Sequence, residues 1–321
     1  MPSNQNPLGA LPARFRRARI VIVGYGDVGT RVAGLLAPRV RVMALTRRTP
    51  SAPPMPHADR PASDGERADA GAASAVQLLR GDLDDPASLQ RLAGIATHVL
   101  HLAPPPGSGA HDPRTRALLQ ALARRTPPQA LVYASTSGVY GDCGGARVAE
   151  TRALQASTPR AQRRVAAEQQ VRDFARRAGV RAAVLRIPGI YAPNRANGTP
   201  RGRLLAGTPV LNAPEDVHTN HIHADDLARA CVLALWRGRP LRVVNANDDS
   251  VLKMGDYYDL AADLYGLPRP PRVSRAWATA HMNPASVSFM NESRQLDNTR
   301  LKRELRLRLR YPTPETGLLS L

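Results

Sequence analysis

The sequence predicts an α/β fold, in which a doubly wound parallel sheet is followed by a smaller C-terminal lobe. Between residues 19 and 187, short apolar runs alternate with helical stretches, polar residues follow the runs, and a glycine-rich turn follows the first one. This alternation is typical of βαβ units, and ligands bind beside the carboxyl ends of the strands in such sheets. The 321 residues, 43% of them hydrophobic, suffice for both lobes.

The first strand and the turn after it are the most informative stretch. Ile20–Val23 is a β-branched apolar run, as a buried parallel strand requires, and Gly24, Gly26 and Gly29 then form the pattern G-x-G-x-x-G. Thr30–Leu36 is predicted to be the following helix. The first glycine permits a tight turn, the second lets the backbone approach a pyrophosphate, and the third allows close helix–strand packing. We predict a dinucleotide site in a Rossmann-type sheet, with a plain βα turn as the alternative.

The tip of the second predicted strand, Val40–Leu45, indicates which dinucleotide is preferred. Thr46, Arg47 and Arg48 follow this strand. A site selective for NAD would carry an acidic residue there, because a carboxylate accepts the hydrogen bonds of the ribose 2′-hydroxyl. Two arginines suit a 2′-phosphate instead. The sequence favours NADP, with NAD as the alternative.

Further elements complete the predicted sheet. The third strand begins at Val76, the fourth lies within Thr97–Pro106, the fifth is Ala130–Ser137 and the sixth is Val180–Ile187. Helices are predicted over Pro86–Leu92, Pro113–Arg125 and Pro159–Ala178, the last one ended by Gly179. The stretch from Thr49 to Ala75 is long for a connection and rich in Pro, Ala, Asp and Ser, so we expect a mobile surface insertion.

The chain after Pro188 predicts the smaller lobe. Asn194–Asp216 is a loop region interrupted by Gly and Pro. It is followed by a predicted helix over Leu227–Trp236 with Asp225 as its N-cap. The later elements are a strand over Leu241–Asn245, a helix over Met254–Tyr265 and a last helix over Asp297–Leu305. We therefore predict a disordered tail (1–18), a dinucleotide-binding domain (19–188, with the insertion at 49–75) and a mainly substrate-binding lobe (189–321), some elements of which return to the first domain.

Polar side chains at two strand tips have two interpretations each. Asp82 could accept a hydrogen bond from an adenine amino group, or it could cap the next turn. Ser135, Thr136 and Ser137 could hydrogen-bond a substrate carbonyl or alcohol, or form an ordinary serine–threonine turn. The sequence pattern leaves both choices open.

Composition excludes several classes of protein. The net charge is +19, but lysine occurs only at Lys253 and Lys302 and the arginines are dispersed, which indicates a coding bias more than a nucleic-acid surface. Aromatic residues, at 4%, are too few for a base-stacking platform, so we expect no nucleic-acid partner. No apolar run is long enough for a membrane span, and no secretory signal precedes residue 18, so we expect a cytoplasmic protein.

The cysteine and histidine patterns predict neither a disulfide nor a metal site. Cys143 and Cys231 are far apart and lack metal-ligand spacing. His221 and His223, two residues apart, have no distant third ligand motif, and we expect no bound metal.

The motifs together resemble the extended short-chain dehydrogenase/reductase superfamily, in its NAD-dependent epimerase/dehydratase group. After the glycine turn the markers are Gly81–Asp85, Tyr133–Gly141, Ala166–Glu168, Leu185–Tyr191 and Ile222–Ala228, and the likeness runs from Arg19 to Gly317. The glycine turn departs from the G-x-x-G-x-x-G commoner in extended members and resembles that of the atypical branch.

The resemblance implies a working set of a hydroxyl residue, a tyrosine and a lysine. The tyrosine acts as acid/base, the lysine lowers its pKa and holds the nicotinamide ribose, and the hydroxyl orients the substrate. Thr136 stands at the hydroxyl position, Arg160 at the tyrosine position and Arg164 at the lysine position. Because a guanidinium does not deprotonate in proteins, Arg160 cannot serve as the acid/base.

We therefore expect Thr136 and Arg164 to be the catalytic residues. The expected cofactor contacts lie at the strand tips and in the glycine turn: Gly24, Tyr25, Gly26, Asp27, Val28, Gly29, Arg47, Arg48, Asp82, Leu83, Leu102, Ala103, Pro104, Ser135 and Pro188. The habits of such relatives imply that Pro113–Arg125 and Pro159–Ala178 could form a homodimer face.

Three functions remain open on the sequence alone. The first is an NAD(P)-dependent oxidoreductase or epimerase/dehydratase-like enzyme acting on a small carbonyl, alcohol or nucleotide-sugar substrate, with Tyr140, Tyr191 or a relayed water as acid/base. The second is a non-catalytic NAD(P)-binding sensor or scaffold, and the third is a nucleic-acid-binding protein. We take the first as the working interpretation.

Overall fold

A computed structural model describes residues 18–47 and 76–320 of the chain. The predicted tail up to residue 17, Arg48 and the predicted insertion at 49–75 lie outside the described residues.

Seven parallel strands form the central sheet. They are β1 (Arg19–Val23), β2 (Arg41–Thr46), β3 (Gln77–Arg80), β4 (His98–His101), β5 (Ala130–Thr136), β6 (Arg181–Ile187) and β7 (Arg242–Asn245). Their spatial order is β3-β2-β1-β4-β5-β6-β7, and every neighbouring pair is parallel. The strand order reverses between β1 and β4, which is where open α/β sheets bind ligands. The predicted doubly wound sheet is confirmed.

Helices of very different length surround this sheet. In the described residues the α-helices are α1 (Asp27–Leu36), α2 (Pro113–Ala123), α3 (Pro159–Ala178), α4 (Arg201–Leu205), α5 (Ala224–Arg237), α6 (Met254–Tyr265), α7 (Arg275–His281), α8 (Pro284–Met290), α9 (Thr299–Arg303) and α10 (Pro314–Gly317). Short 3₁₀ helices lie at Pro86–Leu92, Ser137–Tyr140 and Ala213–Glu215.

The two faces of the sheet carry separate cores. Ile20 and Ile22 of β1 pack with apolar residues of α1 and α5 on one face. Val21 and Val23, which point the other way, pack with α2 and α3. Because both faces are covered, β1 needs a continuous apolar run rather than alternation, which explains why its sequence predicted it so clearly.

Helix boundaries correct two predictions. Helix α1 begins at Asp27, three residues before the predicted Thr30, with extended Gly26 as its N-cap. Helix α5 begins at Ala224, and its N-cap is His223, whose ring Nδ1 accepts a hydrogen bond from the backbone N–H of Asp225 at 3.2 Å. The predicted Asp225 cap is wrong, because a histidine nitrogen takes the role that a carboxylate oxygen was expected to fill.

The C-terminal region contains more short elements than predicted. Helix α4 lies inside the predicted loop, helices α7, α8 and α10 were not predicted, and α9 is shorter than the predicted Asp297–Leu305. Four to seven residues make at most two helical turns, so these helices carry too little apolar periodicity to be recognised.

The smaller lobe has its own core and is joined to the sheet. Tyr191, Leu204, Val210 and Tyr258 belong to a cluster formed mainly by α6, to which Leu204 of α4 and Leu318, just after α10, contribute. Helix α5 and strand β7, although late in the chain, complete the sheet domain. The domain boundary at residue 188 stays a prediction. Among the described residues, no helix has the length and apolar character needed to cross a bilayer.

Candidate active site

A cavity of about 490 Å³ lies at the carboxyl ends of β1 and β2. Most of the predicted cofactor contacts line it, and the full lining is Val23, Gly24, Tyr25, Gly26, Leu45, Thr46, Arg47, Gly81, Asp82, Leu83, Leu102, Ala103, Pro104 and Arg114. We call it the cofactor cavity. The parallel sheet brings these positions together, because residues that follow different strands emerge at one edge.

The three glycines of the turn occupy three different environments. Gly24 has φ +95°, and a Cβ on it would lie 2.5 Å from the backbone nitrogen of Ala103. A Cβ on Gly29 would lie 2.7 Å from the carbonyl oxygen of Gly24, so this glycine allows the close approach of α1 to β1. A Cβ on Gly26 would meet no protein atom within 4 Å, so the space beside it is open.

The N-terminus of α1 is available to an anion. Its N-cap, Gly26, makes no side-chain capping bond, so the first N–H groups of the helix are uncapped. Together with the open side of Gly26, this arrangement fits the diphosphate of a dinucleotide. Val28 and Gly29 are part of the helix and do not line the cavity, so they would contribute through the backbone and packing.

The carboxylate of Asp27 is occupied by two arginines. Its Oδ1 accepts a hydrogen bond from Arg31 Nε and its Oδ2 accepts one from Arg195 Nη1, both at 3.1 Å. Arg31 also donates to Asp225 and Asn194, at 2.5 Å each. Asp27 is therefore held in a charge cluster that ties α1 to the start of α5 and to the loop before α4.

The far end of the cofactor cavity carries two arginines. Arg47 is exposed at the tip of β2. Arg114, which the sequence analysis missed, donates to both carboxylate oxygens of Asp84, at 2.6 and 2.7 Å. Its hydrogen bond and charge, and the charge of Arg47, lower the pKa of Asp84 although burial opposes them. Arg114 is the second residue of α2, and nothing in its sequence context indicated a ligand.

Asp82 shows one of its two predicted roles directly. Its Oδ1 accepts a hydrogen bond from the backbone N–H of Asp84 at 3.0 Å, so it caps the turn after β3. It also lines the cofactor cavity, where its second oxygen could meet an adenine amino group.

A second cavity, of about 690 Å³, adjoins the first, and Pro104 lines both. Thr136, Ser137, Arg164 and Pro188 line it from the sheet domain. The smaller lobe supplies the opposite wall, with His221, Tyr257, Tyr258 and Phe289 among its residues. We call it the substrate cavity.

Ser135 and Thr136, the last two residues of β5, and Ser137, which follows them, lie in different surroundings. Thr136 lines the substrate cavity, and its Oγ1 accepts a hydrogen bond from Gly138 N–H at 3.3 Å. Ser135 lines neither cavity, because its buried hydroxyl donates to Glu168 Oε1 at 2.6 Å, and Glu168 is paired with buried Arg186. The Ser135 hydroxyl is therefore directed toward Glu168 of α3 and away from both cavities.

Arg164 reaches the substrate cavity from α3. Its Nη1 donates to the carbonyl oxygen of Ala134 at 2.6 Å and to the hydroxyl of Tyr133 at 3.1 Å. Burial raises the pKa of Tyr133 to about 12, despite the opposing charge of Arg164. Burial and, to a smaller extent, the charge of Arg164 lower the pKa of neighbouring His101 to about 3.

Two further arginines of α3, Arg160 and Arg163, line the substrate cavity. Arg163 is buried and donates to the carbonyl oxygens of Gly107 and Gly109, at 3.1 and 2.9 Å. It therefore fixes the loop after the proline run. Arg160 is exposed, and its guanidinium lies 4.6 Å from the ring centroid of Phe289.

Two tyrosines that were expected as replacement acid/bases lie elsewhere. Tyr140 is fully buried, and its hydroxyl donates to Asn245 Oδ1 at 2.7 Å. The hydroxyl of Tyr191 donates to the carbonyl oxygen of Thr313 at 3.2 Å. Burial raises the pKa of both hydroxyls, and neither residue lines either cavity.

His221 is a cavity residue whose function the sequence analysis did not identify. Its ring stacks on Tyr257 with centroids 3.9 Å apart, and its buried Nδ1 has no hydrogen-bond partner among the described residues. Burial lowers its pKa to about 3, so the ring is neutral near pH 7. Within residues 18–47 and 76–320, no group of three metal-ligating side chains comes together.

Comparisons with known proteins agree with this geometry. The model of the NAD-dependent epimerase/dehydratase family matches residues 20–246. A functionally unknown conserved protein from Silicibacter pomeroyi is 29% identical, with a TM-score of 0.71 over 94% of this chain and 96% of that chain. The comparison with curated proteins found no match.

Two more distant structures share the fold. MoeE5, solved with UDP-glucose and NAD, is 22% identical, with a TM-score of 0.69 over 93% of this chain and 96% of that chain. A UDP-glucose 4-epimerase from Thermotoga maritima, solved with UDP-glucose, is 18% identical, with a TM-score of 0.70 over 94% of this chain and 96% of that chain.

Proposed function

Because this chain belongs to the NAD-dependent epimerase/dehydratase family, we propose that it is an NAD(P)-dependent enzyme acting on a carbonyl or alcohol carbon in the substrate cavity. The observation that carries the proposal is the meeting of the two cavities at Pro104. A dinucleotide that extends from the glycine turn past Pro104 would bring its nicotinamide end to the cavity that contains Thr136. A bound nicotinamide would supply or accept the hydride.

The glycine turn supports dinucleotide binding. Gly24 keeps the turn tight, Gly26 leaves room beside the uncapped start of α1, and the resulting N–H groups would hold a diphosphate. Leu102 and Ala103 would flank the dinucleotide from the tip of β4.

The charge at the far end of the cofactor cavity supports NADP over NAD. Arg47 lies at the tip of β2, where a carboxylate would select a ribose hydroxyl. Arg114 is already paired with Asp84, whereas Arg47 forms no ion pair within the described part of the chain. An arginine without a carboxylate partner suits the additional phosphate of NADP.

The chain's own residues would then orient the substrate. The Thr136 hydroxyl would donate a hydrogen bond to the reacting oxygen, and Arg164 would occupy the space beside the nicotinamide ribose. Because no tyrosine stands at the expected position and Arg160 cannot give up a proton, a water molecule would carry the proton.

Nucleotide sugars are the leading substrate candidates. MoeE5 and the Thermotoga maritima epimerase were solved with UDP-glucose. The substrate cavity, at about 690 Å³, is within the usual range for a ligand of that size.

A cofactor-binding protein without turnover is the second candidate. One observation favours it: the tyrosine position is occupied by Arg160, while Tyr140 and Tyr191 lie outside the cavity. Such a protein would use the dinucleotide as a signal or as a structural part.

A turnover screen separates the two candidates. The protein would be incubated with NADP⁺ or NAD⁺ and a panel of UDP-sugars and simple alcohols, with reduced cofactor followed by absorbance and sugar isomers by chromatography. We expect Thr136→Ala to lower turnover by about tenfold or more while cofactor affinity stays unchanged. Cofactor binding without turnover on any substrate would favour the second candidate.

A further inference from the structure

The substrate cavity is strongly cationic. Six arginines line it, and Glu292 is the one carboxylate among its described lining residues: the arginines are Arg160, Arg163, Arg164, Arg195, Arg203 and Arg294. In an arginine-rich chain this number alone proves little. The partners of each guanidinium show which of them are free to bind a ligand.

Two of the six are neutralised by carboxylates. Arg195 pairs with Asp27 at 3.1 Å, and Arg294 pairs with Glu292 at 2.8 Å. A further charge on a ligand would have to compete with these ion pairs, so neither arginine is a first choice for binding an anion.

Two more are used by the backbone. Arg163 donates to the carbonyl oxygens of Gly107 and Gly109, and it is buried. Arg164 donates to the carbonyl oxygen of Ala134. These arginines shape the wall of the cavity, and their hydrogen bonds limit how far they can turn toward a ligand.

The remaining two have aromatic partners. The guanidinium of Arg160 lies 4.6 Å from the ring centroid of Phe289, and that of Arg203 lies 5.3 Å from the ring centroid of Tyr258. No carboxylate pairs with either arginine in the part of the chain that the structure describes. Arg203 also hydrogen-bonds the Tyr258 side chain. A guanidinium has five N–H donors, so donors of both arginines remain available to an acceptor.

The two arginines belong to different lobes. Arg160 is on α3 of the sheet domain, and its neighbour Ala161 lies against Gly138, just after Thr136: a Cβ on Gly138 would be 3.9 Å from Ala161 Cβ. Arg203 is on α4 of the smaller lobe. Both arginines and Thr136 line the substrate cavity, so a ligand held by both arginines would lie between the lobes, in the cavity that contains the Thr136 hydroxyl.

We infer that the substrate is acidic, and that Arg160 and Arg203 bind its carboxylate or phosphate groups from opposite walls of the substrate cavity. The inference rests on the proposed function for the placement of the substrate. It gives Arg160 a role in anion binding in place of the proton transfer that it cannot perform. The planar donor edges of two arginines match the paired oxygens of either group.

Small anions test this site without knowledge of the substrate. Oxalate and inorganic pyrophosphate would be titrated by calorimetry into the protein, both free and saturated with NADPH. We expect Arg160→Ala and Arg203→Ala each to raise the dissociation constant of the preferred anion by about fivefold or more. Arg160→Lys should recover part of the affinity, and Arg160→Tyr should not. The anion that binds more tightly identifies the acidic group as carboxylate or phosphate.

Arg152→Ala and Arg201→Ala are matched controls. Both residues are exposed arginines: Arg152 precedes α3, and Arg201 is the first residue of α4. Neither lines the substrate cavity. Their anion affinities should stay within about twofold of the wild type. The inference is overturned if neither anion binds at about 10 mM, or if the control variants weaken binding as much as Arg160→Ala does. Failure of NADPH to bind would contradict the proposed function alone. The titration of small anions into the protein without NADPH would still test the anion site.

Discussion

The cofactor cavity and the substrate cavity meet at Pro104, yet they are built in different ways. Ten of the residues that line the cofactor cavity belong to three short stretches, Val23–Gly26, Gly81–Leu83 and Leu102–Pro104, and backbone geometry determines their places. The substrate cavity combines side chains from α3, α4, α6 and α8, far apart in the sequence. A motif can therefore specify the first cavity, whereas only the folded chain specifies the second.

The largest expected effect is on the free energy of unfolding, and it distinguishes two glycines of the turn: Gly24, which folding needs, and Gly26, which cofactor binding needs. Gly24→Ala should lower the free energy of unfolding by about 2–4 kcal/mol, because it combines a positive φ with a backbone clash. Gly26→Ala should change it by no more than about 1 kcal/mol, because its Cβ meets no protein atom. Denaturant unfolding and NADPH titration of both variants check this.

Gly26→Ala should nevertheless weaken NADPH binding, since its methyl group would enter the space assigned to the diphosphate. Equal unfolding curves for the two variants would show that the turn is not shaped as described.

The next effect compares two of the buried histidines, His101 near the cofactor cavity and His221 in the substrate cavity. Burial lowers the pKa of each to about 3, whereas an unfolded chain takes up the proton near pH 6.5. The stability they contribute is fully present above pH 6.5 and is lost as the pH falls from there toward 3. At pH 5 each histidine should lower the free energy of unfolding by on the order of 2 kcal/mol.

His221→Phe keeps the stacking on Tyr257 and removes one of these protonations. Its unfolding free energy should fall less between pH 7 and pH 5 than that of the wild type, by an amount on the order of 2 kcal/mol. The exposed residue His281 provides a control, as His281→Asn. An identical fall in His221→Phe and the wild type would mean that the ring is protonated in the folded protein.

A smaller effect tests the selectivity of the cofactor cavity alone. Arg47→Ala should weaken NADPH binding by about tenfold and leave NADH binding within about twofold, because only NADPH carries the additional phosphate. Arg39→Ala, an exposed arginine outside the cavity, should change neither affinity. If Arg47→Ala weakened the binding of both cofactors equally, Arg47 would not contact the additional phosphate on the ribose.

The smallest effect tests how the two cavities are joined. Asp27 lies at the N-terminus of α1, where its charge opposes a diphosphate, and Arg195, from the substrate cavity, neutralises it. Asp27→Asn should tighten NADPH binding and Arg195→Ala should weaken it, each by about two- to fivefold. The double variant should bind like Asp27→Asn, because Arg195 then has no charge to neutralise.

Fluorescence titration of these three variants and of Arg201→Ala would measure this coupling. Additive effects in the double variant would indicate that the Asp27–Arg195 pair plays no part in cofactor binding.

The parts predicted from sequence follow the same division. The sheet, the glycine turn and the boundaries of α3 and α6 follow from local patterns: apolar runs, glycine spacing, and Gly179 and Gly266 in left-handed conformation at the helix ends. Ser135 was predicted as a cofactor contact because it lies at the carboxyl end of β5, but it lines neither cavity. Successive residues of a strand face opposite ways, and the hydroxyl of Ser135 donates to Glu168, which is 33 positions away in the sequence.

Long-range contacts explain most of what was missed. Arg114 and His221 had no recognisable spacing, because the strand order and the second lobe bring them to the cavities. The N-cap of α5 depended on the orientation of the His223 ring, which no local pattern determines. Arg48 and the 49–75 insertion lie outside the described residues, so those predictions stay as they were made.

The central claim is that the cofactor half of the site is intact although the tyrosine position holds arginine. Calorimetric titration of the purified protein with NADPH and with NADH tests it most directly. We predict one site per chain, with NADPH bound at a dissociation constant on the order of 10 μM and more tightly than NADH. No heat of binding from either cofactor at about 1 mM would contradict the claim.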